Sequence, residues 1–100
     1  MTDLADLTAD DFTPHAGSRW SVLAAGAAEP VALDLVEIVA GGQALRRGRR
    51  AFSLIFRGPR GPWLRQGTYR LEHPMMGPLE IFLVPITPEP DGARYEAVFT

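Results

Sequence analysis

The 100-residue sequence contains no cysteine and, with every basic residue an arginine, no lysine. The first absence excludes a disulfide framework, a thiol nucleophile and any cysteine-ligated zinc. The second excludes Schiff-base chemistry and the phosphate-gripping lysine of a P-loop. Together with abundant Ala, Gly and Pro, the all-arginine usage reads as the codon bias of a GC-rich genome. Long apolar runs are missing too. An uncharged apolar stretch such as IFLVPI, from Ile81 to Ile86, is far below the roughly 20 residues that cross a bilayer. Strong charge of either sign is also lacking. A net charge of −2 gives no long-range pull toward nucleic acid or an anionic membrane. The opening MTDLADLTADDF has neither the basic nor the apolar region of a signal peptide. A soluble, cytoplasmic protein is expected.

What is present is a globular composition, 46% hydrophobic and 22% charged. It predicts a single domain over 1–100, too short for two independent cores. That length also lies above the range in which small scaffolds need disulfides or a metal.

The first residues carry one helical signal. Thr8 stands as a cap, with Asp11 in the reciprocal position of a capping box. Leu7 and Phe12 match a hydrophobic staple around that cap, and Asp10 and Asp11 suit the positive end of a helix. Pro14 disfavours helical geometry at Thr13, so the helix is short and serves to lay Leu4, Leu7 and Phe12 over one end of a core. This N-terminal segment covers 1–14.

From Ser18 the apolar period becomes two, the spacing of strands. Six strands are predicted: Ser18–Leu23, Val31–Val39, one around Phe52–Phe56, one around Tyr69–Leu71, Leu79–Ile86, and one around Tyr95–Phe99. In the second, Leu35 and Val36 are adjacent apolar residues with both phases pointing inward, as a β-bulge would produce. The connectors carry Gly and Pro turn chemistry and are too short for the helical crossover that parallel pairing needs. An all-β fold follows: a six-stranded antiparallel meander over 18–100, forming a small barrel or rolled sheet with one short N-terminal helix. Register can be specified at one hairpin. Pairing Leu71 with Leu79 sets Arg70 opposite Glu80, whereas the neighbouring register would oppose Glu72 and Glu80.

From Arg50 onward the sequence reads A-F-S-L-I-F-R-G-P, Q-G-T-Y-R-L-E-H-P, G-P-L-E-I-F-L-V-P and R-Y-E-A-V-F, after the earlier L-T-A-D-D-F-T-P-H and V-A-L-D-L-V-E-I. These ordered segments resemble a family of small bacterial domains of unknown function. That resemblance implies an association with phage-tail-collar proteins of the microcystin-dependent kind, and hence an accessory or interaction role. Its signature consists of strand and turn residues, so it carries over no catalytic residue.

The remaining candidates each have an ordinary explanation. Arg46, Arg47, Arg49 and Arg50 could grip phosphates at a hairpin tip, yet no aromatic residue lies among them to stack bases. Charges in a loop also discourage edge pairing, so no nucleic-acid partner is expected. His15 and His73 could share a metal only if the helix end met the end of the fourth strand, and no metal-ligand spacing is present. The alternative is two histidines bonding backbone groups near turns. Ser18, Ser21 and Ser53 lie in no nucleophile elbow. Tyr69 and Tyr95 read as core aromatics with hydroxyls at a rim, and Glu37, Glu72, Glu80 and Glu96 as solvated outward positions. No catalytic residue, cofactor or metal is expected.

Surplus apolar residues remain. Trp63 and Leu64 lie in a Gly/Pro-rich loop and Met75 and Met76 in a turn, while Ile55, Phe82, Val84 and Val98 fall on the outer face. Grouped together, Trp63, Leu64, Met75 and Met76 would form a contact surface for another protein or a second copy. Kept apart, they would plug the barrel ends. A non-enzymatic structural or interaction module is therefore expected. The alternatives are a small-molecule carrier using the barrel interior and an enzyme without a linear motif.

Overall fold

A computed structural model describes residues 7–22, 29–44, 50–59, 64–86 and 92–99. A four-residue helix, α1 (Ala9–Phe12), runs into a 3-10 turn over Thr13–His15. Six strands follow: β1 (Arg19–Val22), β2 (Val31–Ala44), β3 (Arg50–Gly58), β4 (Gly67–His73), β5 (Gly77–Pro85) and β6 (Ala93–Phe99).

The cap signal at Thr8 is realised. Its amide donates to Asp11 Oδ2 at 2.7 Å, and the Asp11 amide donates to the Thr8 carbonyl at 3.0 Å. One turn of helix cannot stand alone; its side chains hold it in place. Leu7 and Phe12 are both buried. The Phe12 ring lies 5.8 Å from Phe52 and 5.6 Å from Phe99, which stack on each other at 4.6 Å. Phe12 thus stoppers the end of the barrel where those rings meet.

All six strands pair antiparallel and close a barrel in the order β1-β2-β3-β6-β5-β4. The fold class matches the expectation, but the connectivity corrects the meander. β3 lies beside β6 through seven consecutive pairs, from Phe52↔Phe99 to Gly58↔Ala93, and β4 closes the barrel against β1. Strands β3 to β6 consequently form a Greek key. The physical reason lies in the connections. Three residues, Pro74–Met76, join β4 to β5 and force a hairpin, whereas the segment 59–66 is long enough to carry the chain across the barrel end.

β2 runs to Ala44, past the expected end at Val39. Its register shifts between Leu35 and Glu37. The bulge is where the sequence placed it, but Val36 is exposed rather than inward. Leu35 pairs with Phe56 and Ile38 with Leu54, so the extra residue is pushed outward and the inward phase resumes at Ile38. Trp20, Leu33, Leu35, Leu54, Phe56, Leu71, Leu83 and Tyr95 are essentially inaccessible. These side chains alternate along their strands and fill the interior, as expected of a barrel this small.

One backbone position depends on glycine. Gly92 has φ +149°, and a Cβ there would run into the Gly58 carbonyl oxygen. The close approach lets β6 begin its ladder with β3 directly at Ala93↔Gly58.

Candidate functional site

The four loop residues expected to form a contact surface do not act as one group. Trp63 lies outside the described residues. Leu64 is buried, and its amide donates to Tyr95 Oη at 3.0 Å. That bond satisfies a phenol and an amide together inside the fold and makes Leu64 a plug, which corrects its assignment to the surface. Tyr69 closes the same strand end by donating its hydroxyl to the Arg65 carbonyl at 2.7 Å. Met75 is 78% exposed, whereas Met76 is half-buried against the core. The two loops leave opposite ends of β4, whose length at ~3.3 Å per residue separates them by roughly 20 Å.

At the Met end, the helix terminus and the end of β4 do meet. His15 and His73 stand edge to face with ring centroids 4.7 Å apart, and His73 also packs against Trp20 at 4.6 Å. His73 is buried. Its Nδ1 accepts from the amides of Met75 at 3.0 Å and Met76 at 3.3 Å. An accepting Nδ1 bears no proton, so in the neutral ring the proton sits on Nε2. Neither nitrogen then offers a lone pair to a metal while the turn keeps this shape. Burial, and secondarily the charge of His15, lowers the His73 pKa below 6.5. His73 builds the turn from Pro74 to Met76, which matches the backbone-bonding alternative for this residue. Among the described residues no three His, Asp or Glu side chains gather where they could hold a metal ion.

The outer wall carries the surplus apolar residues. Val39, Phe82 and Val98 are 48%, 49% and 56% exposed. Register sets two of them on either side of β3: Val39 pairs with Ser53, and Ser53 with Val98. On β5, Phe82 lies two residues from Val84, which pairs with Glu96, itself two residues from Val98 on β6. Of the other outward residues expected here, Val84 is half-buried and Ile55 is buried between its strand neighbours. Sequence reasoning did not single out Val39, which it took as the last residue of the second strand, whereas β2 runs on to Ala44.

Farther along the same wall, register aligns four charges from distant parts of the chain. Arg19 pairs with Asp34, Asp34 with Arg57 and Arg57 with Arg94. Arg19 Nε donates to Asp34 Oδ1 at 3.1 Å, and Arg57 Nη2 lies 3.6 Å from Oδ2. A hollow of about 310 Å³ opens there, lined by Arg19, Ala32, Asp34, Arg57, Gly58 and Pro59. No local motif marks this row, which exists only once strand order is known. The arginines that do cluster in sequence, Arg46, Arg47 and Arg49, lie outside the described residues. Among the described residues no helix is long and apolar enough to cross a membrane.

No curated protein and no solved structure matches the chain. A family model does match, over residues 7–99, and its span takes in α1, all six strands and every feature described above. The chain accordingly belongs to the family described as Domain of unknown function (DUF6916).

Proposed function

We propose that this domain is a non-enzymatic interaction module that docks another protein on the barrel wall at Val39, Val98 and Phe82. The observation that carries the reading is that Val39 and Val98 flank Ser53 on one wall and Phe82 stands on the next strand of that wall, each about half exposed. Apolar area gathered on one face is favourable to bury, and contacts between proteins use such patches. The partner is a protein of the bacterial cytoplasm, and the sequence resemblance points to tail-collar proteins of the phage-tail type. A carrier role for the interior is the weaker reading, because Trp20, Phe56 and Tyr95 with the aliphatic residues around them occupy that space.

The test is affinity capture from the native host with the wild-type chain and with a Phe82→Ser/Val98→Asp variant. Both positions are exposed strand sites, so the melting temperature should change little. The reading requires specific proteins, identified by mass spectrometry, that are captured by the wild type and lost with the variant. Equal capture by both chains would overturn it. Light scattering on the same pair shows whether the occupant is a second copy.

A further inference from the structure

We propose that the partner adds to the barrel as an extended strand along the free edge of β5, with an apolar side chain on Phe82 and a basic one on Glu80. This rests on the docking reading and deepens it, naming the form and the chemistry of what docks.

The edge follows from the pairing on the two sides of β5. The run Gly77–Leu83 pairs throughout with β4. β6 meets β5 at Val84↔Glu96 and Pro85↔Tyr95, so among the described residues no strand pairs with Gly77–Leu83 on its other side. Along an antiparallel strand the backbone groups of successive residues point to opposite neighbours. The Ile86 amide donates to the Arg94 carbonyl at 2.9 Å. That turns Ile86 toward β6 and, by alternation, Val84, Phe82, Glu80 and Pro78 as well. Pro78 agrees with this assignment, because a strand accepts proline where the missing N–H faces away from its neighbour. The amides and carbonyls of Glu80 and Phe82 are therefore aimed away from β4, where no ladder takes them up.

Side chains supply the selectivity. Pro78, Glu80 and Phe82 are exposed, whereas Leu79, Ile81 and Leu83 are buried, so the edge residues present their side chains on the outer wall. An apolar residue set opposite Phe82 covers a ring that is 49% exposed. Two positions along the same face, the added strand meets Glu80. Arg70, across from Glu80 on β4, lies 3.9 Å from Glu72 instead. Among the described residues no cation pairs with Glu80, and a lysine or arginine in the added strand complements it. A second copy of this edge does not. Antiparallel pairing of two such edges sets Glu80 on Glu80 or Glu80 on Phe82, and the register that joins Phe82 to Phe82 needs Val84, which Glu96 already holds. In strand addition the backbone bonds give affinity and alternate side chains give specificity.

The probe is the synthetic peptide acetyl-TTVTKTT-amide, followed through the protein's amide resonances. In the free protein, hydrogen exchange should be fast at Glu80 and Phe82 and slow at Leu79, Ile81 and Leu83. Peptide should give saturable shifts at Glu80 and Phe82 and slow their exchange. Glutamate in place of the peptide's lysine should weaken binding by up to about fivefold, the scale of one exposed ion pair. N-methylation of its valine and lysine amides keeps both side chains, leaves the protein untouched and should weaken binding about tenfold or more. Slow exchange at Glu80 and Phe82 in the free protein, no saturable shift there, or equal binding of the N-methylated peptide would overturn the proposal. Affinity capture with Glu80→Pro, which removes an edge donor, separates this inference from the reading beneath it. Proteins lost with Phe82→Ser/Val98→Asp but kept by Glu80→Pro leave the docking face standing and overturn strand addition; equal capture by all chains overturns the docking face itself.

Discussion

Arg70 stands directly opposite Glu80 across β4 and β5, yet its guanidinium lies 3.9 Å from Glu72 on its own strand. Backbone register and ion pairing are thus separate outcomes at this position. Glu72 and Arg70 point to the same side two residues apart, and both side chains are largely exposed. An exposed pair contributes roughly 0–1 kcal/mol. Glu80→Ala should therefore change the unfolding free energy from urea titration by less than about 0.5 kcal/mol. A larger loss would mean that Glu80 makes a tighter contact than register alone implies.

Phe12 is the residue through which the short helix holds to the barrel. Its truncation to Ala removes the ring that packs on Phe52, Phe99 and Trp20 and should destabilise the fold by ~3–5 kcal/mol. Phe12→Ala and Phe99→Ala should also be non-additive in a double-mutant cycle, because each ring supports the other. Equilibrium unfolding of the four chains checks both statements.

Tyr95→Phe tests whether Leu64 belongs to the core. The substitution keeps the ring and deletes only the hydroxyl that accepts the Leu64 amide. Leaving that buried donor without a partner should cost about 1–3 kcal/mol. Hydrogen exchange should accelerate at Leu64 while the β3–β6 ladder stays protected.

His73 makes stability depend on pH in a defined direction. In the unfolded chain it titrates near 6.5, and in the fold its pKa is lower, through burial first and His15 second. Between the folded value and about 6.5 the unfolded chain holds more protons, so stability rises with pH there. The contribution is complete above about 6.5 and is lost as pH falls through the folded value. Side-chain NMR titration should find His73 below 6.5, and the melting temperature should drop on acidification through that window. A His73 pKa above 6.5 would contradict the buried, neutral ring.

Gly92→Ala should lower the melting temperature without changing the fold class. The added methyl group meets the Gly58 carbonyl at a backbone conformation that L residues rarely adopt. Gly17, also at positive φ but with open space around it, should tolerate alanine better. Thermal unfolding of the two variants side by side makes the comparison.

Local signals were legible in the sequence wherever a residue's neighbours in the chain decide its conformation. Thr8 and Asp11 form their cap, Trp20 and Val22 face inward, and Leu71 meets Leu79. Strand order was not legible. The alternating apolar face of β3 suits β4 as well as β6, and the connection 59–66 is too long to enforce a hairpin. Each feature that depends on that order was hidden with it, including the alignment of Arg57 with Arg94 and of Ser53 with Val98. Val36 shows a second limit, because an apolar residue beside a bulge gives no sign of which of two neighbours will turn outward. Leu64 shows a third: its loop is polar and Gly/Pro-rich, and only the approach of Tyr95 from another strand draws it inside.

The pairing of β3 with β6 also constrains how the domain is made. Its partners lie some forty positions apart in the chain, as in Phe52↔Phe99, so the loop closed by that contact is long and its entropy must be met before the contact returns anything. Topologies dominated by such distant pairings fold in milliseconds to seconds rather than microseconds. On a ribosome, β1, β2 and β3 emerge first and wait with one flank of β3 uncovered until β6 has followed. For that interval the apolar inner face and a long strand edge are open to other chains, and the last strand to be synthesised is the one that removes the hazard.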